Sequence, residues 1–384
     1  MRPRIAHVGH GDYAEALRII GKGEPEPYFG MAYTLRVLGA LFADSPHLVI
    51  SLTSPRYRKQ DGGGEFVGLP MPSLPTMVPS TLSLLIWGKL IVRELARFKP
   101  THVLLRTAGL PAWEILKYCK RNRISTLAIF ANVFDDVDVK ARFVNRRLAA
   151  LLNDPCVFLV GNHKRPATDS MIALGVDPRK SSAWDWPGQR EPSALPPKTL
   201  PPHDGWRILY AGTVSEAKGV GDLVDAVALL HARGCKVRLT VAGVGPHFDH
   251  LQLRARSLPP GVVTCLGRIG NEEAFRLMIA STVVCVPSRP EFSEGMPLAL
   301  TEALASRTPC IVSDHPILKR AFIDGEGIRF FRARDAASLA AVIAAVLHDP
   351  HLYSMLSRST EDAFRRVQCS TSFGDLVQRW HATF

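Results

Sequence analysis

The chain has 384 residues and a mass of 42.2 kDa, a length that predicts two or three domains. Hydrophobic residues make up 46% and charged residues 21%, and the 29 Gly and 29 Pro follow no triplet repeat, which excludes a mainly disordered or collagen-like chain. The net charge is +12, and residues 1–200 carry +10 of it against +2 for residues 201–384. The first half therefore favours an anionic partner, with a basic surface that only aids solubility as an equal alternative.

The first half predicts strands and helices in a loose alternation. Residues 61–79 are rich in Gly and Pro and are expected to form a long loop. The predicted strands are 5–9, 48–52, 101–105, 126–130 and 157–160, and the predicted helices are 28–41, 82–98, 113–122, 140–152 and 167–174. Six prolines between residues 187 and 202 indicate a semi-rigid linker. We therefore expect an N-terminal domain over 1–186 and a linker over 187–205.

The second half predicts a parallel α/β sheet, because short apolar runs alternate with segments of helical period. The runs are 207–214, 236–243, 262–267, 282–288 and 309–314, and the helical segments are 219–233, 246–257, 272–280 and 297–306. This pattern is typical of a Rossmann-like domain, expected over 206–368. Three helical stretches follow at 335–348, 350–367 and 371–383, and the last, within 369–384, is expected to return toward the first domain.

Other sequence features indicate the cellular compartment of the protein and whether it requires a metal ion. The chain shows no secretory signal, and its longest apolar run, residues 81–92, is too short to cross a bilayer. With the basic residues that follow, this run predicts a packed core helix or, as the alternative, a helix lying on a membrane surface. Seven scattered cysteines contain no C-x-x-C pair, which favours a reducing, cytoplasmic compartment. The nearest acidic cluster, Asp135-Asp-Val-Asp, is a poor metal motif, so no obligatory metal is expected.

The most informative segment runs from the end of a predicted strand, at Ser288, into the helix over 297–306. Glu294 lies in the loop and Glu302 lies two turns into the helix. Ligands of open α/β sheets bind at this edge, and the free N–H groups of a helix start favour anionic oxygens. A carboxylate inside an apolar helix needs a partner, which a diol such as ribose would supply. A solvated glutamate at the rim of the helix is the alternative for a lone Glu.

The spacing Glu294-x7-Glu302 resembles the E-x7-E motif of retaining GT-B glycosyltransferases of the family 4 type. The resemblance runs from residue 207 to about 350 and includes, in order, Leu209-Tyr-Ala-Gly-Thr-Val, Glu216-Ala-Lys-Gly-Val, Val241-Ala-Gly-Val-Gly-Pro, Leu266-Gly-Arg and Val286-Pro-Ser. It implies two Rossmann-like domains that face each other across a cleft. It also implies transfer of a sugar, with retention, from a UDP- or GDP-sugar to an acceptor held by the first domain.

The resemblance implies roles for particular residues. Lys218 would neutralise the diphosphate beside Gly212 and Thr213, and Glu302 would bind the ribose. Glu294 would bind the donor sugar, and the main chain at Gly295, Met296 and Pro297 would hold the sugar and its phosphate. Arg268 and Ile269 would lie beside the base, and Gly30 would approach the phosphates from the first domain. All of these positions are read directly from the sequence.

Two positions depart from the family pattern. Thr213 stands where the family usually has an arginine, so one cation of the diphosphate site is missing. The His-Asp pair expected near residue 130 is replaced, and either Asn132 or Asp135 is the candidate catalytic group. The patch Asn162-His163-Lys164-Arg165 is an alternative, which helix capping explains equally well.

The acceptor and the competing functions follow from the same features. His7 and His10, in the segment His7-Val-Gly-His-Gly-Asp, and His163 are the candidate acceptor contacts. The basic first half favours a lipid-linked or polysaccharide-assembly acceptor, with the protein peripheral to the inner face of the membrane. A nucleotide-sugar epimerase of the same fold, or a sugar-nucleotide binder without activity, remains as the alternative. No nucleic-acid-binding signature is present.

Overall fold

A computed structural model describes residues 2–24, 26, 30–73, 75, 79–134, 139–187, 190–202, 205–292 and 295–384, without the side chains of 139–141. The chain folds into two compact units. The first unit contains Met1–Pro187 together with Cys369–Phe384, and the second contains Gly188–Gln368. Both units are built on mainly parallel sheets with helices between the strands, which confirms the predicted α/β class.

The first unit alternates strands and helices along residues 5–184. Its strands are β1 (Ile5–Gly9), β2 (His47–Ser51), β3 (Tyr57–Asp61), β4 (Gly64–Gly68), β5 (His102–Arg106), β6 (Ser125–Phe130), β7 (Val157–His163) and β8 (Ser181–Trp184). Its helices are α1 (Tyr13–Gly21), α2 (Met31–Phe42), α3 (Ser80–Phe98), α4 (Gly109–Asn122), α5 (Val139–Leu152) and α6 (Lys164–Ala173). The strand order is β3-β4-β2-β1-β5-β6-β7-β8, and only β3 is antiparallel to its neighbour.

The second unit repeats this plan with a smaller sheet. Its strands are β9 (Trp206–Ala211), β10 (Val237–Ala242), β11 (Val263–Gly267), β12 (Val283–Val286), β13 (Cys310–Ser313) and β14 (Ile328–Phe331). Its helices are α7 (Val220–Ala232), α8 (Phe248–Arg256), α9 (Asn271–Ala280), α10 (Leu298–Ala305), α11 (Pro316–Ala321), α12 (Ala336–Leu347) and α13 (Pro350–Val367). All six strands are parallel, in the order β11-β10-β9-β12-β13-β14.

The direction of chain progression reverses in both sheets. In the first unit β1 lies between β2 and β5, and its last residue, Gly9, is opposite Ser51 and Arg106. In the second unit β9 lies between β10 and β12. At such reversal points the loops after the two neighbouring strands diverge and leave a crevice for ligands.

The prediction of a loop over residues 61–79 is wrong for the first of these residues. Residues 57–68 form a hairpin of β3 and β4 whose turn residues Gly62 and Gly63 have φ of 54° and 84°. Two consecutive positive φ angles are typical of the turns that join tightly paired strands, and glycine adopts them without strain. The run of three glycines after Asp61 is therefore a hairpin signal. The remaining part of the predicted loop lies outside regular elements in the residues that the structure describes.

The last helix, α14 (Phe373–His381), completes the core of the first unit. It packs on α2 and β7, and Trp380 is fully buried, with its indole N–H donating to the Ser125 hydroxyl at 2.9 Å. The helix begins with a capping box, in which the hydroxyl of Ser372 accepts from the Asp375 amide and the Asp375 carboxylate accepts from the Ser372 amide.

The proline-rich segment lies against the second unit from residue 190 onward. The buried Arg307 guanidinium donates to the Pro192 carbonyl at 2.8 Å and to the Leu195 carbonyl at 3.1 Å. The Lys198 ammonium donates to the carbonyls of Met278 and Ile279 near the end of α9. Residues 190–202, for which we expected a linker, are thus held by the second unit at several points.

Within the described residues, no single helix has both the length and the apolar composition needed to span a bilayer. The bent pair of α12 and α13 passes that test only when the two helices are taken together.

Candidate functional site

The loops after β9 and β12 meet at the carboxyl edge of the second sheet. The Arg289 amide donates to the Ala217 carbonyl at 2.8 Å, which ties the two loops together. Gly219 has a φ of 67°, and a Cβ at this position would overlap the Pro287 carbonyl oxygen. Only glycine therefore lets the β9–α7 loop approach the β12 loop this closely. Most of the donor-site residues predicted in this unit are carried by these two loops and the helices that follow.

The β9–α7 loop contains Gly212, Thr213 and Lys218. Thr213 is exposed, and its carbonyl accepts from the Tyr210 hydroxyl at 2.6 Å. Lys218 ends a short 3₁₀ helix (Glu216–Lys218) just before α7, and its ammonium lies 4.2 Å from the centre of the Phe292 ring. The ring face attracts the ammonium, so this contact links the β9–α7 loop to the loop after β12.

Arg289 does not replace the cation missing at position 213. Its guanidinium donates to both carboxylate oxygens of Asp222, at 2.8 and 3.0 Å, and to Glu216 at 3.2 Å. The hydrogen bonds with Asp222 are the main reason that the pKa of Arg289 is raised. Its charge is thus neutralised by two carboxylates of the same unit, and it acts as a brace between the loop after β12 and the start of α7.

Glu302 lies in the second turn of α10, and its side chain is 20% exposed. Burial raises the pKa of its carboxyl, and the nearby charge of Arg190 lowers it. Arg190 donates to Glu302 Oε1 at 2.9 Å, contacts Glu272 with its other terminal nitrogen, and stacks 4.2 Å from the centre of the Phe275 ring. The carboxylate thus has one cationic partner on one of its two oxygens.

The other predicted donor residues lie on neighbouring loops. Arg268, which is exposed, and the half-buried Ile269 follow β11 directly. Met296 is buried, and Pro297 precedes the first residue of α10. Gly295 is half-buried beside them. Glu294 lies outside the described residues.

A cavity of about 550 Å³ lies beside this site, between the β9–α7 loop and the starts of α7 and α8. Its lining carboxylates are paired with arginines, Asp222 with Arg289 and Asp225 with Arg254. A diphosphate would meet these carboxylates and Glu216 there, so the cavity does not suit the anionic part of a nucleotide.

In the first unit, Gly30 precedes α2 with a φ of 80°. Its α-carbon lies against the indole of Trp186, which a Cβ would approach to 2.6 Å. The Glu26 carboxylate accepts from the amides of Gly30, at 3.2 Å, and Ala32, at 2.9 Å. The start of α2 therefore already holds an anionic group of the chain itself, as expected for free helix N–H groups.

The predicted residues after β6 and β7 differ in exposure. Asn132 is exposed, and its carbonyl accepts from the Asn162 amide at 2.9 Å. Asp135 lies outside the described residues. His163, the last residue of β7, is 5% exposed, and its Nε2 lies 3.3 Å from Asp185 Oδ1. Burial is the main cause that lowers the pKa of His163.

The two histidines near β1 are placed differently. His7 lies inside β1 and is fully buried, so it has no exposed face for an acceptor. Burial, and next the charge of Arg106, lower the pKa of His7 well below its usual value. His10, after β1, is exposed, and its Nε2 lies 3.1 Å from the Thr107 hydroxyl. The side of the ring that faces Thr107 is partly buried, and this burial, followed by the charge of Arg106, lowers the pKa of His10.

Lys164, a member of the patch named from the sequence, is fully buried at the start of α6 with a φ of 66°, and its ammonium contacts the Asp185 carboxylate. Sequence reasoning missed two other charged residues at these edges. Arg106 ends β5, and Arg190 contacts Glu302 from 112 residues away. No motif links these positions, and only the order of the strands brings them to a site. Across the described parts of the chain, no three His, Cys, Asp or Glu side chains form a metal-binding group.

Comparison with known sequences finds a family model that matches most of the second unit. Residues 193–363 match the family described as glycosyl transferases group 1. The chain is 30% identical over 203 residues to glycogen synthase from Mycobacterium tuberculosis (strain ATCC 25618 / H37Rv), covering 53% of this chain and 45% of the relative. It is 29% identical over 181 residues to phosphatidyl-myo-inositol mannosyltransferase from Mycobacterium leprae (strain TN), covering 46% of each. The matches thus span less than half the length of these relatives.

Solved structures extend the likeness to the whole chain. Sucrose-phosphate synthase from Thermosynechococcus elongatus has a TM-score of 0.64 at 18% identity and covers 100% of this chain and 98% of its own. Anabaena Alr3699/HepE in complex with UDP-glucose has a TM-score of 0.62 at 14% identity and covers 100% and 99%. Identities this low show the fold alone. The chain therefore has the GT-B fold, and its residues 193–363 match the family model described as glycosyl transferases group 1.

Proposed function

We propose that the protein is a glycosyltransferase that moves a sugar from a nucleoside diphosphate sugar to an acceptor, with retention and without an obligatory metal. The observation that supports this proposal is that Lys218 follows β9 while α10, with Glu302 in its second turn, follows β12, the neighbouring strand at the reversal point of the second sheet. A cation and helix amides suit a diphosphate, and a carboxylate suits a ribose diol.

The relatives support a nucleotide-sugar donor. HepE was solved with UDP and with UDP-glucose, and a mannosyltransferase 33% identical over 147 residues is named as GDP-mannose-dependent. We propose a UDP- or GDP-sugar, with UDP slightly favoured. Electrostatic stabilisation of the departing diphosphate by Lys218 and the amides near Gly295 is the catalytic contribution of the second unit.

A thermal-shift panel tests the donor site. Full-length protein is melted with UDP, GDP, ADP, CMP and the corresponding sugars, in EDTA and in Mg²⁺. A nucleotide at 100 times its dissociation constant stabilises the folded state by about 2.7 kcal/mol, a readily measured shift. We expect one base to shift the melting temperature equally in both buffers. Absence of a shift with every nucleotide would overturn the donor site.

Thr213 favours a second candidate, a nucleotide-sugar binder without activity, because an exposed threonine cannot balance the charge of a diphosphate. Glu294→Ala separates the two candidates. In a transferase this change lowers turnover of the nucleotide sugar at least tenfold and leaves nucleotide affinity nearly unchanged. A wild-type protein that binds UDP-glucose but releases no UDP with any glycan or lipid-linked acceptor would favour the binder.

A further inference from the structure

Helix α5 of the first unit turns one basic face to solvent, and most of its described side chains lie either on that face or on the packed side opposite. The exposed residues are Arg142, Phe143, Arg146, Arg147 and Ala150, and the buried residues are Leu148, Ala149 and Leu152. The sequence of α5 contains no Asp or Glu. A helix with an apolar packed side and a basic exposed side is typical of contact with an anionic surface.

The aromatic residue Phe143 lies among these cations and is 57% exposed. The guanidinium of Arg147, one helical turn further along, lies 4.3 Å from the centre of the Phe143 ring. An arginine stacked on a ring directs its N–H groups outward along its own plane, where phosphate oxygens bind. Removal of an exposed ring from water is favourable in proportion to the apolar area buried. Phe143 and Arg147 thus offer an apolar and a cationic contact at the same place.

The neighbouring helices extend the positive charge, because α4 packs against both α3 and α5. The further exposed cations on these helices are Lys89, Arg93 and Arg121. Within the described parts of α3, α4 and α5, no carboxylate is exposed. Glu94 is paired with Arg58 and Arg97. Glu114 is paired with Lys117 at 2.7 Å. The outer surface of α3, α4 and α5, which we call the helical layer, is therefore positively charged.

Each helix of the layer also carries apolar surface within its first two turns. Leu82 on α3 is 45% exposed, Trp113 on α4 is half-buried, and Phe143 is the residue in the same position on α5. The three helices follow the parallel strands β4, β5 and β6, so they all begin at the carboxyl edge of the first sheet. The apolar run over 81–92 packs in the core through the buried Trp87 and leaves Leu82 at the surface.

We propose that the helical layer docks on the surface of a bilayer that contains anionic lipid. Phe143 enters the boundary between headgroups and acyl chains, and the guanidinium groups of Arg146 and Arg147 contact headgroup phosphates. Apolar side chains exposed among the cations favour a lipid surface over a nucleic acid, whose phosphate backbone offers no apolar layer. This surface lies outside the donor site, so the proposal stands independently of the proposed glycosyl transfer.

Flotation of the full-length protein with vesicles tests the proposal. One set of vesicles contains phosphatidylcholine alone, and the other contains equal parts of phosphatidylcholine and phosphatidylglycerol. We expect the wild type to float with the anionic vesicles, and raised salt to weaken this binding. Arg146→Gln combined with Arg147→Gln should lower the partition coefficient at least about tenfold, because two cations are removed from the anionic surface.

Three further variants show which contacts matter. Phe143→Ser should weaken binding severalfold without changing its salt dependence, because it removes apolar surface but no charge. Arg146→Lys combined with Arg147→Lys keeps both charges and should retain most of the binding. The matched control is Arg256→Gln combined with Arg276→Gln, which removes two exposed arginines from the second unit and should bind as the wild type does.

Each outcome decides the proposal once thermal melting has shown that the variants fold, and Phe143→Ser decides it if the α5 double variant does not. Equal binding of the wild type to both vesicle sets, or binding to neither, overturns it. An equal loss in the α5 double variant and in the matched control would mean that net charge alone drives binding, and it also overturns the proposal. Binding to duplex DNA as tight as to anionic vesicles, with Phe143→Ser unchanged in both, would identify a nucleic-acid surface instead.

Discussion

At the scale of single residues, the contact between Arg190 and Glu302 controls the protonation of the Glu302 carboxylate, which we propose binds the ribose. Burial raises the pKa of Glu302, and Arg190 opposes that rise. The ionised carboxylate accepts hydrogen bonds from two hydroxyls, and it is lost as pH falls through the raised pKa. We predict that Arg190→Ala weakens nucleotide binding severalfold at pH 6 and much less at pH 8.5, as measured by calorimetric titration.

The matched controls for this prediction come from the same cluster. Arg190→Lys keeps the positive charge and should restore most of the affinity at pH 6. Glu272→Gln removes a carboxylate whose charge helps to raise the pKa of Glu302, so it should move the loss of binding to lower pH, opposite to Arg190→Ala. A uniform loss of affinity at all pH values in Arg190→Ala would instead indicate a purely structural role.

Sequence reasoning reached the residues of the site only where a motif carries them. Lys218 and Glu302 lie in continuous segments whose spacing is informative, and these segments follow the neighbouring strands β9 and β12. Arg190 and Arg106 lie in segments without such spacing, and their contacts depend on strand order and on chain far away in sequence. His7 was expected to contact the acceptor, but the strand that contains it buries it completely.

At the scale of elements, the close approach of the β9–α7 loop to the β12 loop rests on Gly219. Gly219→Ala introduces strain at a positive φ and a collision with the Pro287 carbonyl. We predict a loss of about 1–3 kcal/mol in the free energy of unfolding, together with weaker nucleotide binding. Gly234→Ala is the control, because φ there is 80° and its Cβ meets nothing within 4 Å.

These two variants separate strain from contact when they are compared by thermal melting and UDP titration. Gly234→Ala carries the backbone strain alone and should leave UDP affinity unchanged, since residue 234 lies at the opposite end of α7. Equal effects of the two substitutions on stability and affinity would mean that the contact with Pro287 contributes nothing.

Most of the long elements could be predicted from the sequence, and several short ones could not. Strands β9 to β13 and the helices after residue 335 appear near their expected positions. Strands β12 and β13 have only four residues each but lie in apolar runs, whereas β8, β14 and the six-residue helix α11 contain polar residues and are too short to show a period. The hairpin of β3 and β4 has exposed polar residues on β3, so hydrophobic patterning gave no sign of that strand.

At the scale of the whole molecule, the two units should respond differently to acid. His7 and His163 have lowered pKa values in the first unit, so the unfolded chain binds protons more readily there. Stability is therefore full above about pH 6.5 and is lost as pH falls below it, by up to about 1.4 kcal/mol per pH unit for a histidine that stays neutral. We predict that the first unit unfolds at a higher pH than the second.

Tryptophan fluorescence can follow the loss of stability of the first unit at low pH. Trp87, Trp113, Trp184, Trp186 and Trp380 lie in the first unit, and Trp206 alone lies in the second. We expect urea unfolding followed by fluorescence to show a smaller free energy at pH 5.5 than at pH 7.5. His7→Gln should reduce that difference, and His231→Gln, exposed on the second unit, should not. A first unit equally stable at both pH values would contradict the prediction.

The position of α14 in the first unit also affects when each unit can fold during synthesis on the ribosome. The fully buried Phe373, Leu376 and Trp380 belong to the core of the first unit, yet they are made after every residue of the second. The second unit can therefore reach its final packing while the first still exposes the apolar surface that α14 will cover. The first unit is therefore completed after the second, and its exposed apolar surface depends on protection from aggregation until α14 has been made.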